Sequence, residues 1–167
     1  VKIAGRVIDA PCSEILVLPR IDGDIVIKAN AVISMDEFYA LCPPPTAPIV
    51  MHAGGKFEPD TTDSWFKKAD KEHSERRFHY ICLTSLLSSL IEWDTVSMDK
   101  PETWQNWQGD LRSSGFNSVE VDRIINCILQ ANSLDEQKLK DAREAFLRGQ
   151  GNNPVKPSGQ DTEQPST

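Results

Sequence analysis

The cleanest periodicity in the chain runs through Val121, Ile124, Ile125, Ile128 and Leu129. These positions follow i, i+3, i+4, i+7 and i+8, so they predict one apolar face of an amphipathic helix. Asn117 caps its start, with Glu120 three positions on. A second start signal, the capping box Ser133-Leu134-Asp135-Glu136, opens a last helix whose apolar face is Leu139, Ala142, Phe146 and Leu147. From residue 150 onward the periodicity stops. The Pro, Gly, Ser, Thr and Gln content there predicts a disordered polar tail over 150–167.

Upstream, the pattern is helical but broken by punctuation. A long helix is predicted over about 63–92. Its first half carries mixed charge, and its second half is apolar at Phe78, Ile81, Cys82, Leu86, Leu90 and Ile91. Asp99 is placed as the cap of the next helix, with Pro101 and Glu102 in the first turn. Trp104, Trp107 and Leu111 then share a face, and Gly115 ends the helix. Before all of these, Ser34-Met35-Asp36-Glu37 starts a short helix carrying Phe38, Tyr39 and Leu41, which Pro43-Pro44-Pro45 stops.

The first third switches to a period of two. Strands are predicted over 2–8, 14–19 and 24–32, with Asp22-Gly23 as the turn before the third. Ile25, Ile27, Ala29 and Ala31 fall on one side of that third run, as in a half-buried sheet. Residues 46–62 read as a loop, with Ile49-Val50-Met51 as a short edge strand. The fold class is therefore α+β: a small N-terminal antiparallel β-meander, then a C-terminal helical subdomain and a disordered polar tail. The expected parts are 1–42 (β-rich, with the short helix), 43–62 (Pro/Gly loop), 63–149 (helical) and 150–167 (tail).

Composition narrows the functional classes. The chain has 167 residues, a net charge of -7 and 39% hydrophobic residues. That negative charge repels phosphate backbones and anionic membrane surfaces, so neither nucleic acid nor membrane is expected as a partner. No apolar run approaches the ~20 residues that cross a bilayer, and the N-terminus carries no signal-peptide core. Cys12, Cys42, Cys82 and Cys127 are widely and irregularly spaced, which fits free thiols in a cytosolic setting.

No set of residues assembles into a catalytic, cofactor or metal site. His79 and Cys82 are three apart, but with no second ligand pair they read as a core thiol beside a half-exposed imidazole. Nothing near Cys42 activates it as a nucleophile. Gly54-Gly55-Lys56 lacks the spacing of a phosphate loop and reads as a turn. Lys67, Lys68, Lys71, Arg76 and Arg77 are interleaved with Asp70, Glu72 and Glu75, as on a solvated helix surface. Trp65 stands in a polar neighbourhood and is a candidate binding anchor. The expectation is of no enzyme and no cofactor.

The order of segments resembles the tail assembly chaperones of long-tailed double-stranded DNA bacteriophages. The resemblance rests on the β-rich opening Lys2-Ile3-Ala4-Gly5-Arg6-Val7-Ile8, the short helix ending at Cys42-Pro43 and the charged helix that follows. It continues through Glu92-Trp93-Asp94-Thr95-Val96 and Pro101-Glu102-Thr103-Trp104. It closes with Asn132-Ser133-Leu134-Asp135-Glu136 leading to Ala142-Arg143-Glu144-Ala145-Phe146-Leu147. The resemblance implies a protein of the host cytoplasm, absent from the mature virion. Such a protein binds and solubilises the tape measure protein and helps recruit tail tube protein. In several relatives a ribosomal frameshift near the end of the gene makes a longer form, and self-association is a further expectation. Trp65, Leu139, Phe146 and Leu147 are the expected partner-binding residues. The rival expectation is a structural head–tail joining or tail virion protein.

Overall fold

The computed structural model describes residues 2–3, 5–7, 10–133 and 136–150; for Arg6, Lys138, Ala142, Gly149 and Gln150 only the backbone is described. The fold is α+β: two antiparallel strand pairs, a short helix and a third strand pair come first, and the main helices follow. Two compact units divide the chain, Val1–Leu134 and Asp135–Thr167.

The opening strand expected over 2–8 is instead two short strands, β1 (Lys2–Ile3) and β2 (Arg6–Val7), paired antiparallel. Gly5 reverses the chain between them with φ +80°, a conformation glycine adopts without steric cost. Next come β3 (Ser13–Leu18) and β4 (Ile25–Asn30), an antiparallel pair in which Leu16 faces Ile27 and Leu18 faces Ile25. The alternation holds: Leu18, Ile27 and Ala29 are buried, while Ile15, Val17 and Val26 point the other way and are exposed.

Helix α1 (Asp36–Leu41) begins two residues after Ser34 rather than directly on it. The Ser34 hydroxyl accepts from the Asp36 N–H at 3.0 Å, and no side chain caps the helix at Met35. The expected loop at 46–62 holds the edge strand β5 (Ile49–Met51) and also its partner β6 (Phe57–Pro59), antiparallel to it. Gly54 and Gly55 make the turn between the two, both at positive φ.

Helix α2 (Ser64–Ser85) starts where predicted, with the Asp63 carboxylate accepting from the Phe66 N–H at 2.9 Å. It stops seven residues before Glu92, the predicted end. The Ser88 and Ser89 hydroxyls bond the Lys28 carbonyl, and the Lys28 N–H donates back to Ser89 Oγ. Serine side chains compete here with continued helix. The chain passes through a short 3₁₀ turn, Leu87–Ser89, and leaves it through Leu90 in the left-handed region (φ 52°).

The helix predicted from Asp99 opens as a 3₁₀ segment, Pro101–Asn106, before becoming α3 (Trp107–Ser113). Asp99 does not cap it; its carboxylate accepts from the Ser97 hydroxyl. Gly115 is the C′ residue (φ +95°), with Gly115 N–H to Arg112 O and Phe116 N–H to Leu111 O closing a Schellman motif. Helix α4 (Ser118–Ala131) carries the complete reciprocal capping box: the Glu120 N–H donates to Asn117 Oδ1 and the Asn117 N–H to Glu120 Oε2.

The core lies between the inner face of the β3–β4 hairpin, α4, and the C-terminal half of α2. Val121, Ile124, Cys127, Ile128 and Ala131 of α4 are buried together with Leu18, Ile27 and Ala29. Each fully buried Ile or Leu contributes about 1.5–3 kcal/mol. Trp104, Trp107 and Leu111 are buried on one side, as their spacing predicts. Phe38, Tyr80 and Trp104 form an aromatic cluster with ring centroids 5.2 to 6.2 Å apart.

Polar contacts stitch this unit at long range. Asn132 accepts from the Val32 N–H and donates to Ser85 and to the Ile128 carbonyl. The buried Asp110 carboxylate takes the N–H and hydroxyl of Thr95. Arg20 pairs with Glu120 and lies over the Phe116 ring. The capping box expected at Ser133–Glu136 includes Leu134 and Asp135, outside the described residues. The second unit contains α5 (Glu136–Gln150). The expected tail lies outside the described residues, except for Gln150, which ends that helix.

Candidate functional site

The four expected partner-binding residues fall in both units. Leu139, Phe146 and Leu147 belong to α5. Seven- and eight-residue spacings place Phe146 and Leu147 on the same side as Leu139, and their exposures are 53%, 63% and 55%. Charged residues flank this stripe, including Glu144 and Arg148, which pair at i, i+4. These three apolar side chains of α5 are therefore exposed.

Trp65 lies on the first turn of α2 and is 62% exposed. It stands at a groove of about 440 Å³, lined also by Leu41, Pro43, Pro45, His73 and Arg76. Pro43 and Pro45, from a run that reads in sequence as a stiff helix stop, make one wall. That wall is tied to α2 by a 3.1 Å hydrogen bond between His73 Nε2 and the Cys42 carbonyl. The His73 ring packs on Phe38 and Tyr39, so the core holds the groove from beneath. A second hollow of about 330 Å³ adjoins it, sharing Glu72, Arg76, Pro101 and Glu102. The two lie side by side along α2, the Trp65 groove richer in proline and the second hollow mixed in charge.

Burial shifts the ionisation of the Cys42 and Cys82 thiols and of the His79 imidazole. Burial raises the Cys42 thiol above its ordinary range. The Cys82 thiol is buried and pushed up to about 12, also by burial, so it stays protonated at neutral pH. His79 accepts from Trp107 Nε1–H on its Nδ1 at 3.2 Å, and burial lowers its pKa, which keeps the ring neutral. Among the described residues, no three His, Cys, Asp or Glu side chains gather as metal ligands. The basic residues of α2 are partly offset in place: Lys68 meets Glu72 and Lys71 meets Glu75 across single turns. No helix among the described residues is long and apolar enough to cross a membrane.

Sequence reasoning missed the proline wall and the outer face of the hairpin. Ile15 and Val17 are exposed on β3, and Val26 faces Val17 from β4. A signal for that face exists: Ile15-Leu16-Val17-Leu18 is apolar at every position, where a strand with one wet face alternates. Compared with family models, curated proteins and solved structures, the chain matches none.

Proposed function

We propose that this chain is a non-covalent chaperone that covers the apolar stripe of a helical client, as the tail assembly chaperones of long-tailed phages do. The client of that reading is the tape measure protein, with tail tube protein as a second partner and the host cytoplasm as the place of action. One observation carries it: Leu139, Phe146 and Leu147 form an exposed apolar stripe on a helix rich in charged residues. A helix of this kind docks against another apolar helix face through anchors at i, i+3, i+4 and i+7. Three side chains, each giving at most about 1.5–3 kcal/mol when fully covered, make a weak contact. Many copies along one rod turn weak contacts into firm coverage. The Cys42 thiol at the Trp65 groove, raised by burial, fits a role in binding rather than turnover.

Co-expression with the tape measure protein tests the reading. Phe146→Asp is expected to return the soluble fraction of the client to its level without chaperone, while the thermal midpoint of the chaperone stays unchanged. Equal client solubility with the variant removes α5 as the contact face.

A further inference from the structure

The β3–β4 hairpin has one closed edge and one open edge. The Ala31 N–H donates to the Cys12 carbonyl at 2.8 Å, which sets the phase of the ladder. Antiparallel pairs alternate between residues that exchange hydrogen bonds and residues that turn their backbone groups outward. Glu14, Leu16 and Leu18 therefore bond to β4, while Ser13, Ile15 and Val17 turn their N–H and C=O groups away from it. On β4 the outward groups are met at the centre of the strand. Lys28 is bonded on both its N–H and C=O by Ser88 and Ser89, and the Val32 N–H just beyond the strand donates to Asn132. On β3, no group among the described residues meets the backbone of Ser13, Ile15 or Val17.

Natural edge strands are protected by lysine, proline or a bulge. Ser13–Leu18 has no lysine, proline or bulge; its one charge is the half-buried Glu14, and prolines stand only outside it, at Pro11 and Pro19. Instead the strand presents exposed Ile15 and Val17. Its sequence is also self-complementary. Placed antiparallel to itself about Ile15, Ser13 faces Val17 and Ile15 faces Ile15, so the outward groups of three residues on each strand find partners. Apolar side chains meet at the centre of one face. On the other face Glu14 stands opposite Leu16, so the two carboxylates do not meet.

We propose that two copies of this chain pair β3 to β3 about a two-fold axis, forming one four-stranded antiparallel sheet. Charge supports a second copy as the occupant. Helix α4 runs antiparallel to β3, since Arg20 just after β3 reaches Glu120 near the start of α4. A shallow hollow of about 180 Å³ lies between Glu14, Ile15 and Leu16 of β3 and Arg123, Asn126 and Gln130 of α4. A second β3 brings its Glu14 opposite Leu16, at the level of Arg123, and symmetry repeats the contact. Arg123 has no salt bridge among the described residues. Because the β4 edge is already closed, the assembly ends at two, as an isologous interface requires. The inference rests on the hairpin and α4 and is independent of any client.

Sedimentation equilibrium of the full chain, with reductant present to keep Cys12 free, tests it. The wild type is expected to dimerise, and Ile15→Lys, which sets two like charges face to face, to give a monomer that still unfolds cooperatively, with the thermal midpoint the wild type shows when diluted to monomer. Glu14→Lys and Arg123→Glu are each expected to weaken the dimer about tenfold or more, and the double variant to recover most of that loss. The Ser13, Ile15 and Val17 amides exchange slowly with solvent in the wild type and fast in Ile15→Lys. A wild type that stays monomeric at about 200 µM, where a dimer with a dissociation constant of about 1 µM would be almost fully formed, overturns the proposal. So does a dimer that survives Ile15→Lys, or charge reversals that fail to rescue each other.

Discussion

Glu120 closes two circuits at once. Its carboxylate accepts from the Asn117 N–H at the start of its own helix and from Arg20, a hundred residues earlier. The Arg20 hydrogen bond and then the Asn117 N–H hold it below the usual carboxylate range. The first circuit is legible from spacing, because a capping box is a three-residue rule. The second is not, because a contact across a hundred residues leaves no periodic trace. His79 gives a residue-scale test. Burial lowers its folded pKa, so the unfolded chain binds the proton more readily. The resulting stability is complete above the ordinary histidine range and is lost as pH falls through that range toward the lower folded value. Urea unfolding of His79→Gln is expected to show a shallower fall in stability between pH 7 and pH 5 than the wild type. An identical slope places the titrating group elsewhere.

Elements show where local rules suffice and where they do not. Helix α4 and the end of α3 follow their signals closely, because caps and periodicity act within a turn or two. Gly115 is the clearest case, since its φ of +95° is strained for any side chain. Gly115→Ala is expected to cost about 1 kcal/mol in a denaturation midpoint; no loss would mean that the C′ geometry is not maintained in solution. The end of α2 is the counter-example. Apolar residues continue the helical pattern past Ser85, yet Ser88 and Ser89 leave it to close the β4 edge at Lys28. Only a tertiary partner supplies the reason for that ending. The 2–8 strand fails for a local reason instead, because one glycine turns an apparent run into a reversal.

At the scale of the whole molecule, the unit Val1–Leu134 joins hairpin and helices through a few long-range ties, Asn132 chief among them, since it links Val32, Ser85 and Ile128. The α+β order and much of the buried set were legible, because burial follows apolar periodicity. The Trp65 groove was legible only at Trp65 itself. Its proline wall takes shape only once His73 holds the Cys42 carbonyl, and side chains brought together by folding are invisible to spacing.

The sulfur atoms of that unit divide unevenly: Cys12 lies outside, and Cys42, Cys82 and Cys127 lie within. A thiol-modifying reagent such as DTNB therefore meets one ready target and three that wait for the protein to breathe. Mass spectrometry over time is expected to record a first adduct promptly and the remaining three in step, at the rate of cooperative opening. Staggered arrival of those three would mean that the interior loosens piece by piece, giving a clock for its dynamics without any added label.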